Sequence, residues 1–250
     1  MKLKILTALM LLLTMTTCAH AQVVSYMTGN EELYSWLSSL SQKGIIEYDG
    51  VIKPLSRGSI AGLLTEIEGK IDLLTKVETE ELEYYKKEMY YDLQDRNYNA
   101  DSSLNRTEIG YLKNSGQRYR LFTYRSSNFS VYADPVLGYK YNAKNSEKHS
   151  WNGLSLYGSI GSHLSFSLLL KDNHKNGSLS ASKKEFTPET GIAFSAPTKS
   201  GFDYDQLNAS VTYGWGWGDI SLCKENLWWG SGRSGKLILS DKAPSFPFIR

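Results

Sequence analysis

The stretch that decides the fold is residues 154–171, which read LSLYGSIGSHLSFSLLLK. On both sides of Gly161-Ser162, leucine, isoleucine or phenylalanine alternates with serine or another less apolar residue along most of the stretch. Because successive side chains of a strand point to opposite faces, this alternation predicts two strands of about nine residues each. The Gly-Ser pair between them predicts a tight turn, so the stretch is expected to form a hairpin with one apolar and one polar face.

A second hairpin of the same kind is predicted over residues 209–222. Its first strand alternates Ser, Thr and Gly with an apolar and aromatic face made of Ala209, Val211, Tyr213, Trp215 and Trp217. The turn is expected at Gly218-Asp219. Residues 172–206 are rich in Lys, Asp and Ser, which predicts a long polar loop between the two hairpins.

This alternation is what a membrane-spanning strand requires. A transmembrane strand needs ~9–11 residues whose apolar side chains face lipid, and outer-membrane barrels have tight periplasmic turns and long external loops. We therefore predict a mainly β chain with the first strands of an antiparallel transmembrane β-barrel in residues 111–250. A soluble β-sandwich, which shows the same alternation, is the alternative. Because about six or seven strands can be counted and bacterial barrels have at least ~8, we expect the barrel to be incomplete in this chain.

Residues 1–21 have the features of a secretory signal peptide. Lys2 and Lys4 precede a short apolar stretch, and Ala19-His20-Ala21 supplies small residues of the kind at which such signals are cleaved. Cleavage before Gln22 is expected, with an uncleaved anchor as the alternative. An exported chain with barrel-like strands is expected in the outer membrane of a Gram-negative cell.

Charge and cysteine content narrow the classes of partner. The 28 Lys and Arg residues nearly balance the 26 Asp and Glu residues, and loss of Lys2 and Lys4 with the signal makes the balance complete. A nucleic-acid partner is therefore not expected. Cys223 would be the single cysteine of the mature chain, which excludes an internal disulfide. We interpret it as a small apolar strand residue rather than as a reactive thiol.

Residues 22–110 are predicted to form a periplasmic helical segment, folded as a small bundle. An apolar stripe with helical spacing runs through residues 33–40. Gly44 is expected to end this first helix in the left-handed conformation, and Ile45-Ile46 are expected to pack after the turn.

Two further helices are predicted after Pro54. Ser56 is the expected N-cap of the second helix, whose apolar stripe runs through residues 60–67. The third helix is expected to begin near Thr79 and to continue to Leu93. Narrow apolar stripes of this kind are typical of helices that pack on one another.

Residues 37–64 are similar to an S-layer homology repeat, a module that docks on cell-wall polymers. The similarity rests on Gly44-Ile45-Ile46, Asp49-Gly50, Pro54 and Ser56-Arg57. Arg57 could pair with an anionic polymer. The interpretation that we favour is a first-turn arginine that hydrogen-bonds a neighbouring loop. A periplasmic polymer or assembly partner of the helical segment is therefore one hypothesis.

The most specific stretch is residues 226–247, which read NLWWGSGRSGKLILSDKAPSFP. Its Trp-Trp-Gly-x-Gly and Leu-Ile-Leu-Ser-x-x-Ala-Pro segments resemble the signature of the capsule-assembly Wzi family. Ser231 stands where many members of that family have proline. Residues 44–46 and 54–57 also resemble the N-terminal part of its members.

The resemblance implies an outer-membrane barrel that carries a periplasmic helical bundle and holds exported capsular polysaccharide at the cell surface. Aromatic rings stack on sugar faces, and Arg, Asp and Asn hydrogen-bond sugar hydroxyls. The candidate polysaccharide-binding residues are Trp228, Trp229, Arg233 and Asp241. The alternative is that these four residues have a structural role. Trp228 and Trp229 would then be a pair of aromatic girdle residues beside a turn, and Arg233 and Asp241 would pair with each other within the lumen of the barrel.

Two other functions are compatible with the same residues. A polar interior also suits a channel or transporter whose lumen is plugged by the helical segment. The helical segment by itself also suits a periplasmic adaptor that grips a polymer or an assembly partner. Outer-membrane lipid is an expected partner in every barrel interpretation.

Motifs for catalysis are lacking in the sequence. No histidine has metal-ligand spacing to a second His or Cys, and there is no nucleophile elbow or phosphate-binding loop. Four acids could supply a glycosidase pair but are expected to be solvated loop charges: Glu185, Glu189, Asp203 and Asp205. We therefore predict no catalytic residue, no metal and no cofactor, and a protein that is not an enzyme.

Overall fold

The computed structural model describes residues 24–26, 31–98, 108–113, 118–144, 146–177, 196–197, 201–215, 217–226, 228–229 and 245–250. It is mainly β, with helices in the N-terminal part and one antiparallel sheet after them. The predicted signal peptide, residues 1–21, lies outside the described residues.

The described helices all lie before residue 99. They are α1 (Glu31–Gln42), α2 (Arg57–Glu68), a 3-10 turn (Ile71–Leu73), α3 (Lys76–Glu88) and α4 (Tyr90–Tyr98). None of these helices is both long and apolar enough to cross a membrane.

The predicted signals for the end of α1 and the start of α2 are confirmed. Gly44 has a φ of +75°, the left-handed conformation that glycine adopts without a steric penalty. The Ser56 side chain accepts a hydrogen bond from the Ser59 backbone N–H at the start of α2. The apolar stripes are also buried, in a cluster that contains Leu33, Trp36, Leu37, Leu40, Ile45, Ile46, Ile60, Leu64, Ile67, Leu82 and Met89.

The predicted start of the third helix near Thr79 is wrong. Helix α3 begins at Lys76, because Thr75 and Glu78 form a capping box in which each side chain accepts from the other residue's backbone N–H. Glu80 and its neighbour therefore lie in the second turn. The predicted continuation to Leu93 is interrupted after Glu88, and α4 begins at Tyr90.

The main sheet is built from consecutive antiparallel neighbours. Its strands are β2 (Glu108–Lys113), β3 (Arg120–Arg125), β4 (Phe129–Asn142), β5 (Glu147–Ile160), β6 (Leu164–Asn176), β8 (Gly201–Trp215), β9 (Gly218–Glu225) and β11 (Phe246–Ile249). They are ordered β11-β9-β8-β6-β5-β4-β3-β2, and the two-residue β7 (Ala196–Pro197) pairs with β8. Among the described residues the sheet is open, since β11 and β2 are at its two edges.

Both predicted hairpins are present, but their strands are longer than predicted. Strands β5, β6 and β8 have 14, 13 and 15 residues. The expected loop of residues 172–206 therefore loses residues at both ends, since β6 continues to Asn176 and β8 starts at Gly201. Backbone pairing needs no apolar side chain, so the strands continue where the apolar alternation has stopped.

The turn of the second hairpin is also displaced from its predicted place at Gly218-Asp219. Trp215 pairs with Gly218, so Gly218 and Asp219 belong to β9. Trp217 lies in the connection and is 88% exposed, rather than on the face of the strand where the alternation placed it. The predicted number of strands, six or seven, is likewise too low, because the described main sheet has nine strands. The sequences of β2, β7 and β11 carry no clear alternation, so these strands were not predicted.

A second, two-stranded sheet links the helical segment to a segment near residue 229. Strand β1 (Ile52–Lys53), between α1 and α2, pairs antiparallel with β10 (Trp228–Trp229). In this pairing Ile52 lies opposite Trp229, and Lys53 lies opposite Trp228.

Candidate functional site

The structure places the four predicted polysaccharide contacts only in part. Trp228 and Trp229 form β10, and their backbone pairs with the segment that leads into α2. Arg233 and Asp241 lie outside the described residues. The Trp-Trp motif is therefore joined to the helical segment, an arrangement that the sequence did not predict.

The main sheet has two faces of opposite chemistry. On what we call the polar face, one row of hydroxyl residues crosses five neighbouring strands: Ser130, Ser159, Ser165, Thr212 and Ser221. The hydroxyl oxygens of Ser130 and Ser159 lie 2.7 Å apart, and those of Thr212 and Ser221 lie 2.8 Å apart. The next row contains the hydroxyls of Ser167 and Ser210, 2.7 Å apart. These hydroxyls satisfy one another within the sheet.

The opposite face, which we call the apolar face, carries four successive rows of mainly apolar residues. The first row is Phe129, Ile160, Leu164, Tyr213 and Ile220. The fourth row is Pro135, Leu154, Leu170 and Leu207. Beyond it, the same face is polar on β5, β6 and β8, with Asn152, Asp172 and Asp205 side by side, whereas β4 continues with Leu137 and Tyr139.

Burial on the two faces is the reverse of that in a water-soluble sheet. The polar-face residues Ser165 and Thr212 are each 1% exposed, whereas the apolar-face residues Val211 and Leu222 are 49% and 62% exposed. A soluble antiparallel sheet buries its apolar face against a core and turns its polar face to water. In this sheet the apolar face is the one that the described part of the chain leaves uncovered.

The helical segment docks on the polar face, and Arg57 is the centre of that contact. Arg57 is the first residue of α2 and is only 4% exposed. Its Nε donates to both carboxylate oxygens of Asp92 on α4, at 3.1 and 3.0 Å, and its Nη2 donates to Asp92 Oδ2 at 2.8 Å. Its guanidinium carbon lies 4.2 Å from the centre of the Tyr157 ring on β5, within cation–π distance.

A second arginine, on the sheet, contacts the C-terminal end of α3, which Arg57 also contacts. Arg120 on β3 donates from Nη1 to Asp134 Oδ2 and to the Tyr157 hydroxyl, both at 2.7 Å. Its Nη2 donates to the Glu88 backbone carbonyl at 3.0 Å, and Arg57 Nη2 donates to the same carbonyl at 2.9 Å. Two cations therefore meet the C-terminal end of α3, where the helix dipole favours positive charge. The two guanidinium groups satisfy the Glu88 carbonyl at this end of α3.

Tyrosine rings fill the space around the two guanidinium groups. Tyr91 of α4 packs on Tyr132 of β4 with the ring centres 4.8 Å apart, and Tyr132 stacks on Tyr157 at 5.0 Å. Arg120 lies 5.5 Å from the centre of the Tyr91 ring. We call Arg57, Glu88, Tyr91, Asp92, Arg120, Tyr132, Asp134 and Tyr157 the docking cluster.

The charged groups that the helices contribute to the docking cluster stabilise one another. Burial alone would lower the pKa of Arg57, but Asp92, Tyr157 and Glu88 outweigh it, so the pKa lies above the usual value of an arginine. Burial alone would raise the pKa of Glu88, but Arg57 and Arg118 outweigh it and lower that pKa. Arg118 is in addition hydrogen-bonded to the Glu88 carboxylate. Both groups are therefore charged at neutral pH.

These contacts decide between the two interpretations of Arg57. The hypothesis of pairing with an anionic polymer is not supported, because the guanidinium is buried among groups of this chain. The favoured role in structure is right in kind, but the partners are α4, α3 and β5 rather than a neighbouring loop. One signal in the sequence was the position of Arg57 at the start of an apolar helix face; Arg120 carried no comparable signal.

A second cluster lies on the polar face at the end of the sheet away from the Gly161 turn. We call His149, Trp151, Lys171, Asn173 and Tyr204 the aromatic cluster. His149 Nε2 lies 3.1 Å from Asn173 Oδ1 and 3.3 Å from the Tyr204 hydroxyl. The His149 and Trp151 rings are 4.8 Å apart, and Lys171 Nζ is 4.8 Å from the centre of the Trp151 ring. This cluster was not predicted from the sequence, because two of its members, Asn173 and Tyr204, fall within the predicted loop of residues 172–206.

Other ionisable groups lie on the apolar face beyond its apolar rows. His174 Nδ1 is 2.8 Å from Asp203 Oδ1, and His174 Nε2 is 3.2 Å from Asp172 Oδ2. Asp203 and Asp205 were expected in a loop, but they are strand residues of β8. In the part of the chain that the structure describes, no group of three or more His, Cys, Asp or Glu side chains could hold a metal ion. Cys223 is a buried strand residue on β9, as predicted.

Comparisons of the chain with family models, with curated proteins and with solved structures give no match.

Proposed function

We propose that the sheet belongs to an outer-membrane β-barrel that takes part in capsule assembly, where it binds or retains exported polysaccharide at the cell surface. The observation that carries the proposal is the reversed burial of the two faces: hydroxyl residues are covered and apolar residues are exposed. In lipid an exposed apolar face is favourable, and a polar face lines the interior of the barrel. In water the same sheet would leave a large apolar surface in contact with solvent.

Strand length and the position of the polar ends support the same conclusion. A tilted strand crosses the bilayer with ~9–11 residues, and β5, β6 and β8 are longer, with 14, 13 and 15 residues. The excess falls at the end away from the Gly161 turn, where the apolar face turns acidic at Asp172, Asp203 and Asp205. In this proposal the tight turns face the periplasm and the acidic ends lie above the lipid on the outside.

The docking cluster supports a periplasmic place for the helices. It attaches α2, α3 and α4 to the polar face through Tyr132 and Tyr157. These two tyrosines form the row next to Ser130 and Ser159, close to the end of the sheet that carries the Gly161 turn. In the proposal the helices are the periplasmic bundle, and they cover the interior from below. The backbone pairing of Trp228–Trp229 with Ile52–Lys53 adds a second attachment.

The capsule role rests on the resemblance of residues 226–247 to the Wzi signature, together with the chemistry of the interior. Aromatic and amide side chains of the kind that bind sugars occur on the polar face, in the aromatic cluster. Trp228, Trp229, Arg233 and Asp241 remain proposed contacts for the polysaccharide.

The capsule role is tested in the organism that makes the protein, by comparison of cell-bound and shed capsular polysaccharide. A strain without the gene is complemented with the wild-type chain, with a Trp228→Ala/Trp229→Ala variant, or with Trp217→Ala. We expect the double variant to shed polysaccharide. Trp217→Ala, which removes an exposed indole at the turn end, is expected to retain it. Equal retention by the gene-less strain and the wild type would refute the capsule role.

The docking cluster also favours a second candidate, a channel whose lumen is closed by the helices. Loosening the helices should then open a conducting path. Single-channel current across a planar bilayer is the measurement, with the wild type compared with Arg57→Ala. Current that appears only in the variant would support the channel, and its absence in both would favour retention of polysaccharide. A periplasmic adaptor would need residues other than Arg57, which is engaged within the chain.

A further inference from the structure

We infer that the outer end of the hairpin made by β4 and β5 binds the anionic sugar headgroup of a glycolipid in the outer leaflet of the membrane. The residues concerned are Tyr139, Tyr141, Lys144 and Lys148, which we call the tip surface. The inference rests on the membrane position in the proposed function. It goes beyond that function by naming a lipid partner and the residues that contact it.

The tyrosines of the tip surface lie on the apolar face, beyond its apolar rows. Tyr139 lies opposite Ser150, and Tyr141 lies opposite Lys148. Both tyrosines are an even number of residues beyond Pro135, so they belong to the same face of the sheet as that residue. Their side chains are 62% and 53% exposed. The rings are therefore available to a ligand on the outside of the sheet.

The lysines of the tip surface have no anionic partner in the described chain. Lys144 lies in the connection between β4 and β5, where its backbone N–H donates to the Asn142 side chain. The residues Lys144 and Lys148 are both exposed, and neither ammonium group forms an ion pair with the described residues. Glu147 lies opposite Asn142 on the polar face, where it is 3.4 Å from Lys175. An anion outside the sheet therefore meets two unpaired positive charges.

The neighbouring strands β6 and β8 carry the opposite charge on the same face. Their acids are Asp172, Asp203 and Asp205, of which the first two contact His174 at 3.2 and 2.8 Å. Lys148 lies on β5, one row further from the apolar rows than His174. Because carboxylates repel an anionic headgroup, such a headgroup is expected on the β4–β5 side of the sheet and not on the β6–β8 side.

The height of the tip surface favours a headgroup built of sugars. The apolar rows end at Pro135 on β4, and Tyr141 lies about 20 Å further along that strand. With a strand tilt of ~40°, this places Tyr141 about 15 Å above the end of the apolar rows. The headgroup layer of an ordinary bilayer is only ~5–7 Å thick on each side. A sugar headgroup extends further from the lipid and can reach both tyrosines.

One sugar ring can contact a tyrosine and a lysine of the tip surface together. Side chains that lie directly opposite on antiparallel strands have their Cβ atoms ~4.5–5.5 Å apart, which applies to Tyr141 and Lys148. The ring of Tyr141 can stack on the carbon face of a sugar, while Lys148 donates to a phosphate or carboxylate on it. Among the described residues no strand pairs with β4 beyond Ala133 on the side of β3, so a lipid has access from that side.

Native mass spectrometry of the full chain in detergent micelles, titrated with lipid, tests this inference. The probes are Kdo2-lipid A, which has an anionic sugar headgroup; digalactosyldiacylglycerol, which has a neutral one; and phosphatidylglycerol, which has charge without a sugar ring. We expect Kdo2-lipid A to bind most tightly. Lys144→Gln/Lys148→Gln should weaken its binding about tenfold or more and leave the neutral glycolipid unchanged.

Two further variants separate the contribution of the rings from that of charge alone. Tyr139→Ser/Tyr141→Ser should weaken the binding of both glycolipids, because each loses its stacking contact. Lys76→Gln/Lys87→Gln removes the same charge from exposed positions of α3 and is the matched control, which should change the binding of no probe. All six positions are exposed, so these variants are expected to fold.

The outcomes separate this inference from the proposed function. Equal binding of phosphatidylglycerol and Kdo2-lipid A, or unchanged binding of Kdo2-lipid A to Lys144→Gln/Lys148→Gln, overturns the glycolipid site and leaves the barrel and its capsule role standing. Displacement of Kdo2-lipid A by an equal concentration of a galacturonic acid hexamer, which has no acyl chain, assigns the tip surface to free polysaccharide and also overturns the inference. Capsule shedding that does not depend on the protein overturns the proposed function instead.

Discussion

Replacement of Arg57 by alanine should weaken the packing of α2 on α3, α4 and the sheet by about 3 kcal/mol. The change removes three contacts of 2.8–3.1 Å to Asp92, one of 2.9 Å to the Glu88 carbonyl and the cation–π contact with Tyr157. Removal of one partner from a buried ion pair costs ~3–5 kcal/mol, because the other charge is left buried. The lower end applies here, since the Asp92 side chain is 18% exposed and Glu88 keeps Arg118.

Amide hydrogen exchange of α2 in the full chain, followed by mass spectrometry, measures this effect. A loss of about 3 kcal/mol corresponds to about a hundredfold faster exchange of the α2 amides. Arg57→Lys keeps the charge but loses the bidentate geometry, so it should lie between the wild type and Arg57→Ala. Lys87→Ala removes an exposed cation from α3 and should change exchange by no more than about twofold. A change of less than about threefold for Arg57→Ala would refute the docking role.

The remaining predictions concern the helices and can be tested by the same measurement of amide hydrogen exchange. Hydrogen bonds from Lys43 and the Thr75 backbone lower the pKa of Glu78 from 4.5 to about 2, so this carboxylate stabilises α3 above pH 4.5 and the stabilisation is lost as the pH falls towards 2. Glu78→Gln should abolish that pH dependence, and Glu80→Gln on the same helix should preserve it; identical profiles would contradict the prediction. Ser56→Ala should speed exchange at the start of α2 by about fivefold, through loss of a cap that contributes ~1 kcal/mol, whereas Ser39→Ala, an exposed serine within α1, should leave it unchanged. Leu33→Ala should cost ~3 kcal/mol through a cavity in the helical core, and a cost below ~1 kcal/mol would mean that this core is not closely packed.

Local features of the fold were predictable because their causes are local. The φ of Gly44 and the cap at Ser56 depend on residues within a few positions. The two faces of each hairpin follow from the alternation itself. That Leu168 and Ser167 lie on opposite faces of the sheet could therefore be predicted without the rest of the chain. The start of α3 was missed because Thr75 and Glu78 were not recognised as a capping box.

The ends of the strands were not predictable in the same way. Residues such as Asp172 and Asp203 are polar, yet they stay in the ladder because their backbones pair across β6 and β8. Polarity on the apolar face was interpreted as loop, although in a barrel it marks the level at which strands leave the lipid. The aromatic cluster was hidden by this error.

The docking cluster depended on contacts between residues far apart in the sequence. Arg57 meets Asp92 after 35 residues and lies over Tyr157, which is a hundred residues away. No local pattern marks such a meeting. The backbone pairing of Trp228–Trp229 with Ile52–Lys53 is of the same kind, and it assigns a structural contact to a motif interpreted from the sequence as a sugar contact.

The proposed contact of the exposed apolar face with lipid is tested most directly by the collision accessibility of nitroxide labels. Single labels are placed at Val211, within the apolar rows, and at Asp205, beyond them, in the full chain reconstituted into bilayers with Cys223→Ser. Oxygen concentrates in lipid, and a nickel chelate stays in water. We predict that the label at Val211 is reached by oxygen and not by the nickel chelate, and that Asp205 shows the reverse. Equal access of the nickel chelate to both positions would contradict the membrane sheet and every function proposed for it.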